Sequence, residues 1–215
     1  MKSVLLVGVG RFGQRIADRL IEMKHEVLAV DVNEENINDI MPVVTDAQIG
    51  DCTDKKFLTS IGVDNFDVCF VTIRNDFQNS LQTTSLLKEL GAKKVVAVAN
   101  NDVHSKFLLR NGADAVIDPE KQLALWAAIT YTSDNVFDYV RIDDKFSIFE
   151  VSIPESWDGI TVGKLGIRQK YGINIMAIKA NDELDITITP DTVLDKDNHL
   201  LVLGSLKSVR KCFDI

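Results

Sequence analysis

Hydrophobic positions in the first 118 residues fall into short runs: Val4-Leu5-Leu6-Val7, Val27-Leu28-Ala29-Val30, Val43-Val44, Val68-Cys69-Phe70-Val71, Val95-Val96-Ala97-Val98 and Ala115-Val116-Ile117. Each gives way to a Gly or polar turn and then to a stretch of helical period. Four of the runs are continuous rather than alternating, the pattern of parallel strands covered on both faces. The stretches between them predict helices near 11–24, 33–41, 54–61, 76–90 and 102–111. Gly62, Gly91 and Gly112 stand where left-handed helix C-caps are wanted, and Asp76 and Asp102 where N-caps belong. Six strands alternating with five helices predict an α/β fold, a Rossmann-like doubly wound parallel sheet.

Pro119 opens a further helix, at the position where proline costs least. Its middle, Leu123-Ala124-Leu125-Trp126-Ala127-Ala128-Ile129, is apolar nearly all the way round. One face can cover the sheet and the other needs a second apolar surface, either another subunit or the next domain. After it, the more polar segment 135–144 reads as a connecting helix and linker. From 145 the grammar changes to alternation, in Phe146–Ile153, Ile173–Ile178 and Leu184–Ile188, with a turn at Asn181-Asp182. Leu200–Leu203 predicts another strand and Ser205–Phe213 a terminal helix. The organisation is therefore a Rossmann-like nucleotide-binding domain over 1–134, a connection over 135–144 and a small α+β C-terminal domain over 145–215.

Composition narrows the function. The 215 residues carry 24 basic and 32 acidic side chains, a net charge of −8, which disfavours nucleic acid bound through phosphate neutralisation. No apolar run approaches the roughly 18 residues of a membrane span, and the start is too soon interrupted for a secretory signal. Three widely spaced cysteines, Cys52, Cys69 and Cys212, make neither a disulfide framework nor a zinc site, and a reducing cytosol fits them best.

The chemistry begins at Gly8-Val9-Gly10-Arg11-Phe12-Gly13, which follows the first strand and opens the first helix. A bare GxGxxG is weak evidence, but this one has the required context. Gly8 permits the tight turn, Gly10 lets backbone approach a phosphate, and Gly13 lets helix and strand pack closely. The helix start favours an anion. Asp31 ends the second strand 18 residues after Gly13. A carboxylate there accepts both ribose hydroxyls and repels a 2′-phosphate, which disfavours NADP but leaves NAD(H) and ATP or ADP open. Arg11 beside the phosphate position is a fork of donors for phosphate or a solvated first-turn side chain. Asp51 and Cys52, after the third strand, should border the adenine end of the crevice, and Thr72 to Asp76, including Arg74, its other side. Glu120 is either an acid favoured by the helix dipole or a carboxylate facing phosphates through a divalent cation.

Hydride transfer usually needs a positioned His, Lys or Tyr as proton donor. His25, at the wrong end of the sheet, His104, in a first helical turn, and His199, beside a turn, all read as surface residues. No Ser/His/Asp arrangement, HExxH or Lys-bearing P-loop is present. The chain reads as a binding protein rather than an enzyme.

Gly8–Gly13 with its Arg-Phe pair, His25–Asp31, Gly50-Asp51-Cys52-Thr53, Leu87–Gly91 and Gly112–Lys121 together resemble the RCK family, the regulators of potassium conductance in bacterial Trk and Ktr uptake systems. Val162–Leu165, Tyr171–Ile175 and Pro190 to Gly204 look like that family's C-terminal domain. The resemblance implies a cytoplasmic homodimer or higher ring, peripheral to the inner face of the membrane and docked on a separate potassium-translocating subunit. Nucleotide in the crevice would shift the ring between two states, which is allostery rather than catalysis. It implies Gly8, Gly10, Arg11, Gly13 and Asp31 as nucleotide contacts, with Phe12 in the same loop. Asp51 and Cys52 would lie by the adenosine, and Arg11 would reach a neighbour's phosphates. Glu120 would join a cation at the dimer interface. In some members the C-terminal domain binds cyclic di-AMP, for which Arg168, Asn174, Ile175 and Pro190 are the corresponding residues.

The chain departs from the family at Met23-Lys24, where many members have Gly, and it has one Rossmann unit where some Trk regulators have two. Lys24 would need φ > 0 there. The alternatives to a gating subunit are a nucleotide sensor for another ion channel or antiporter, and a small NAD-dependent oxidoreductase.

Overall fold

The computed structural model describes residues 1–214 and divides into two compact units, Met1–Lys121 and Gln122–Ile215. In the first, the apolar runs become β1 (Ser3–Val7), β2 (Glu26–Asp31), β4 (Val68–Val71), β5 (Val95–Val98) and β6 (Ala115–Ile117). The remaining strand, β3, is Asp46–Ile49. All neighbours are parallel, in the order β3-β2-β1-β4-β5-β6, the doubly wound arrangement in which the crevice opens between β1 and β4. The helices α1 (Arg11–Glu22), α2 (Glu34–Ile40), α3 (Lys55–Ser60), α4 (Phe77–Glu89) and α5 (Asp102–Arg110) fall where the periodicity predicts them.

Two local expectations are corrected. The third strand does not lie at Val43-Val44, which are in a turn; β3 is the polar edge strand Asp-Ala-Gln-Ile, held by pairing with β2 rather than by burial. The N-cap of α5 is Asn101, whose side chain accepts from His104 N–H, so Asp102 is the first helical residue. Asp76 does cap α4, accepting from Asn79 N–H.

Lys24 closes α1 in the left-handed region at φ 61°. That conformation costs a non-glycine residue about 1 kcal/mol, so Lys24→Gly is expected to raise stability by up to that amount in urea unfolding. An unchanged or lowered midpoint would show that the exposed turn has no strain to relieve.

In the second unit five strands form an antiparallel sheet in the order β10-β9-β11-β8-β7. They are β7 (Val136–Arg141), β8 (Ser147–Ser152), β9 (Asn174–Ala180), β10 (Glu183–Asp185) and β11 (His199–Gly204). Residues 135–144 are therefore not a connecting helix: most of them form β7, an edge strand paired with β8. Its alternation is broken by an irregularity between Val136 and Asp138, which disguises the strand period. The β9–β10 hairpin turns at Asn181 and Asp182, both with positive φ. The strand predicted to reach Ile188 stops at Asp185. Helices α7 (Val162–Leu165), α8 (Ile167–Tyr171) and α9 (Leu206–Phe213) complete the small α+β unit around Phe149, Val151, Leu200, Val202 and Val209.

Helix α6 (Pro119–Thr132) carries the chain from the first unit into the second. Its one buried residue, Ile129, joins the core of the second unit, while Leu123, Leu125 and Tyr131 are exposed. No described helix is long and apolar enough to cross a membrane.

Candidate functional site

The continuous apolar strands bury themselves and leave their carboxyl ends to polar loops. A cavity of about 330 Å³ opens there in the first unit, lined by the glycine loop, the end of β2, the loops after β3 and β4, and the start of α4. Its size falls in the usual range for small-molecule sites.

Gly8 takes φ +87°, a left-handed conformation that turns the chain sharply out of β1. Its carbonyl is held by the Thr72 hydroxyl at the end of β4, which also donates to Val7 O at 3.2 Å. Gly13 packs beneath the loop: a Cβ there would lie 2.3 Å from Gly8 O and 2.9 Å from Thr72 Oγ1. Asp31 draws the loop onto β2, its carboxylate accepting from Val9 N–H at 2.6 Å and from Asn33 N–H at 2.8 Å. Thus β1, β2 and β4 each fix one side of the loop.

Of the residues singled out from the sequence, Gly8, Gly10, Asp31, Asp51, Cys52 and Arg74 line this cavity. Gly13 supports it from below, whereas Arg11 and Phe12 do not line it, and Arg11 is exposed on α1. Cys52 is a neutral apolar wall: burial, with Asp51 and Asp31 nearby, pushes its thiol up to about 12. Glu120 does not stand in a metal-binding cluster. Its carboxylate meets Arg74 Nη2 at 2.5 Å, and no group of three or more metal-ligating side chains forms among the described residues. Among the described residues, the side chains do not by themselves assemble a ligand set for a divalent cation.

Two contributors escape a sequence reading. Thr72 tethers the loop, and Thr83 lies on the cavity wall with its buried Oγ1 unpartnered. The buried Arg74 Nε also lacks a partner. Unmet buried donors and acceptors are costly, so they favour a polar ligand or ordered water at this wall. The available signal is the face of α4 that buries Ser80, Thr83, Thr84 and Leu87, hydroxyls at helical spacing where a core face would carry aliphatics.

The histidines need one correction. His104 is fully buried, not at the surface, with its ring nitrogens at 3.2 Å from Asn100 Oδ1 and 3.1 Å from Ser80 Oγ. Burial lowers its pKa and favours the neutral ring. His199 is half-buried, 2.8 Å from Glu150 and stacked on Phe137, and His25 accepts from Lys2 N–H at 3.2 Å. No histidine lines the cavity among the described residues.

In the second unit Arg168, Asn174, Ile175 and Pro190 do come together, on a cleft of about 280 Å³ between α7, α8, β9 and the loop at Ile188 to Pro190.

A glycine loop at the carboxyl end of β1, a carboxylate at the end of β2 and a small α+β appendage define a Rossmann-like domain with an added domain. A family model described as the TrkA-N domain matches residues 4–119, and one described as the TrkA-C domain matches residues 147–215. The chain belongs to the family of Ktr and TrkA potassium uptake proteins and is homologous to Ktr regulatory subunits. It is 37% identical to Ktr system potassium uptake protein C of Bacillus subtilis (strain 168) over 210 residues, which are 98% of this chain and 95% of that protein. Ktr system potassium uptake protein A of the same organism is 35% identical over the same shares. Among solved structures, the GsuK RCK domain superposes with a TM-score of 0.67 at 18% identity, covering 99% of this chain and 47% of that one. The GsuK channel bound to NAD gives 0.67 at 19% identity, over 96% and 38%. At such identities the superpositions show the RCK fold.

Proposed function

We propose that this chain is a nucleotide-controlled gating subunit, acting in the cytoplasm on a separate membrane subunit that carries potassium. One observation carries the reading: in a chain homologous to Ktr proteins over nearly its whole length, the glycine loop and Asp31 line a cavity whose wall holds unpartnered polar atoms and no His, Lys or Tyr. A site that binds without a proton donor suits a sensor. The ligand is a ribonucleotide, ATP, ADP or NAD(H), with Gly8, Gly10 and Asp31 holding phosphate and ribose. Asp51 and Cys52 lie toward the adenosine, and Gly13 keeps the loop in shape. Arg11, exposed and outside the lining of its own cavity, would serve a neighbouring subunit's phosphates.

A second copy is the occupant we assign to the exposed apolar side of α6, where Leu123, Leu125 and Tyr131 would otherwise remain in water. The nucleotide acts by binding one arrangement of the assembly more tightly than another, and its leverage is limited to that difference in affinity. The cleft at Arg168, Asn174, Ile175 and Pro190 offers a cation, an amide and apolar walls, a set suited to a cyclic dinucleotide such as cyclic di-AMP.

Potassium flux through the cognate membrane subunit in proteoliposomes tests the reading. The chain should make flux depend on ATP, ADP or NAD(H), and cyclic di-AMP should add an effect that Arg168→Ala removes. Flux indifferent to the chain and to every nucleotide would overturn the gating role; an effect of cyclic di-AMP that survives Arg168→Ala would overturn the cleft assignment alone.

A further inference from the structure

The nucleotide cavity of the first unit is unfavourable to phosphate on most of its sides. Asp31, Asp51 and Asp76 line it, and among the described lining residues Arg74 is the one basic side chain. Arg74 leaves the end of β4, and its backbone carbonyl accepts from Asn100 Nδ2 at 3.1 Å. The side chain is 24% exposed, and Nη2 donates to Glu120 Oε1 at 2.5 Å. Its Nε–H is buried without an acceptor. Lys121, next to Glu120 in sequence, is already engaged by Asp102. A guanidinium presents five N–H donors in a fixed fork, so one carboxylate leaves most of them available to a second anion.

On the nucleotide reading above, we propose that Arg74 is the built-in counter-charge of this cavity. It bridges Glu120 to the phosphate of a bound nucleotide and takes the place of a divalent cation between carboxylate and phosphate. A phosphate entering a cavity lined by Asp31, Asp51 and Asp76 needs a positive charge beside it. A hard divalent cation would want several oxygen ligands. Glu120 is already paired with Arg74, and no group of three or more metal-ligating side chains forms among the described residues. Because the unmet Nε–H is unfavourable where it stands, the side chain gains by turning toward an arriving phosphate while Nη2 keeps Glu120. The positive charge that the phosphate needs is thus supplied by the protein, and nucleotide binding is independent of magnesium.

Calorimetric titration of the full chain with ADP, in chelator and in excess magnesium, tests this. Wild-type affinity should agree within about threefold between the two conditions. Arg74→Ala should weaken binding by about 10- to 100-fold in chelator, and magnesium should then restore part of the loss, because the Glu120 carboxylate is freed to hold it. Arg74→Lys keeps the charge and loses the fork; it should bind more weakly than wild type in chelator and carries the test if the alanine variant does not fold. Wild-type binding that requires magnesium, or an Arg74 variant that binds as wild type without it, overturns the proposal while leaving nucleotide binding intact. Wild type that binds neither ADP, ATP nor NAD in either condition overturns the nucleotide reading itself, and the role of Arg74 falls with it.

Discussion

Gly13→Ala should lower the stability of the chain by about 1–3 kcal/mol, the usual cost of forcing a methyl group into filled space, and, on the nucleotide reading proposed above, abolish the rise in melting temperature expected with nucleotide. The added Cβ would stand 2.3 Å from the Gly8 carbonyl oxygen and 2.9 Å from Thr72 Oγ1. Neither neighbour can withdraw cheaply. The Gly8 carbonyl is held by the Thr72 hydroxyl, and Gly8 N–H donates to Val30 O at 2.8 Å, so a shift of the loop breaks its ties to both flanking strands. Gly10 is the internal control. A Cβ there meets nothing within 4 Å, so Gly10→Ala should leave ligand-free stability within about 0.5 kcal/mol of wild type. Urea unfolding separates the two. If Gly13→Ala unfolds at the wild-type midpoint, the close approach of α1 to the loop is not what shapes this site.

The second large effect is expected at Asp31, which has two tasks. In the structure its carboxylate accepts from the N–H groups of Val9 and Asn33, and Val9 is fully buried. Asp31→Ala leaves the Val9 donor without a partner, at a cost of about 1–3 kcal/mol. On the nucleotide reading proposed above, the same substitution removes the acceptor for ribose hydroxyls and should weaken ATP and NAD by about 10- to 100-fold. Asp31→Asn keeps an acceptor oxygen and should recover more of the stability than of the affinity. The paired readout is denaturant unfolding without ligand and calorimetric titration with it. Unaltered affinity in the alanine variant would remove Asp31 from the binding site and leave it as a loop tether.

What the chain reveals to a reader of its sequence follows burial. β4 and β5, inside the sheet, begin and end where their apolar runs do, because both faces of a parallel sheet must be covered. β3 is hidden for the opposite reason: as an edge strand it is specified by hydrogen bonds to β2, and Asp46-Ala47-Gln48-Ile49 carries no hydrophobic signature. β7 is hidden by the irregularity after Val136, which breaks the two-residue period that betrays a strand. At the site, the glycine loop, Asp31 and Asp51-Cys52 are legible because backbone conformation and charge there admit few residue types. Thr72 and Thr83 are not, since a threonine at a strand end or within a helix has many ordinary uses, and only the packing shows where the hydroxyl goes. His104 misleads in the same way. Its first-turn position suggests solvent, but Ser80 and Asn100 together satisfy both ring nitrogens and make burial tolerable.

The neutral thiol of Cys52 has a consequence for its reactivity. Peroxides and electrophiles react with thiolate, and burial that pushes the Cys52 thiol up to about 12 keeps it protonated near neutrality. Cys69, buried in β4, is also pushed up to about 12 by burial. The two buried sulfur atoms therefore contribute shape to this wall and to the core beside it rather than reactivity.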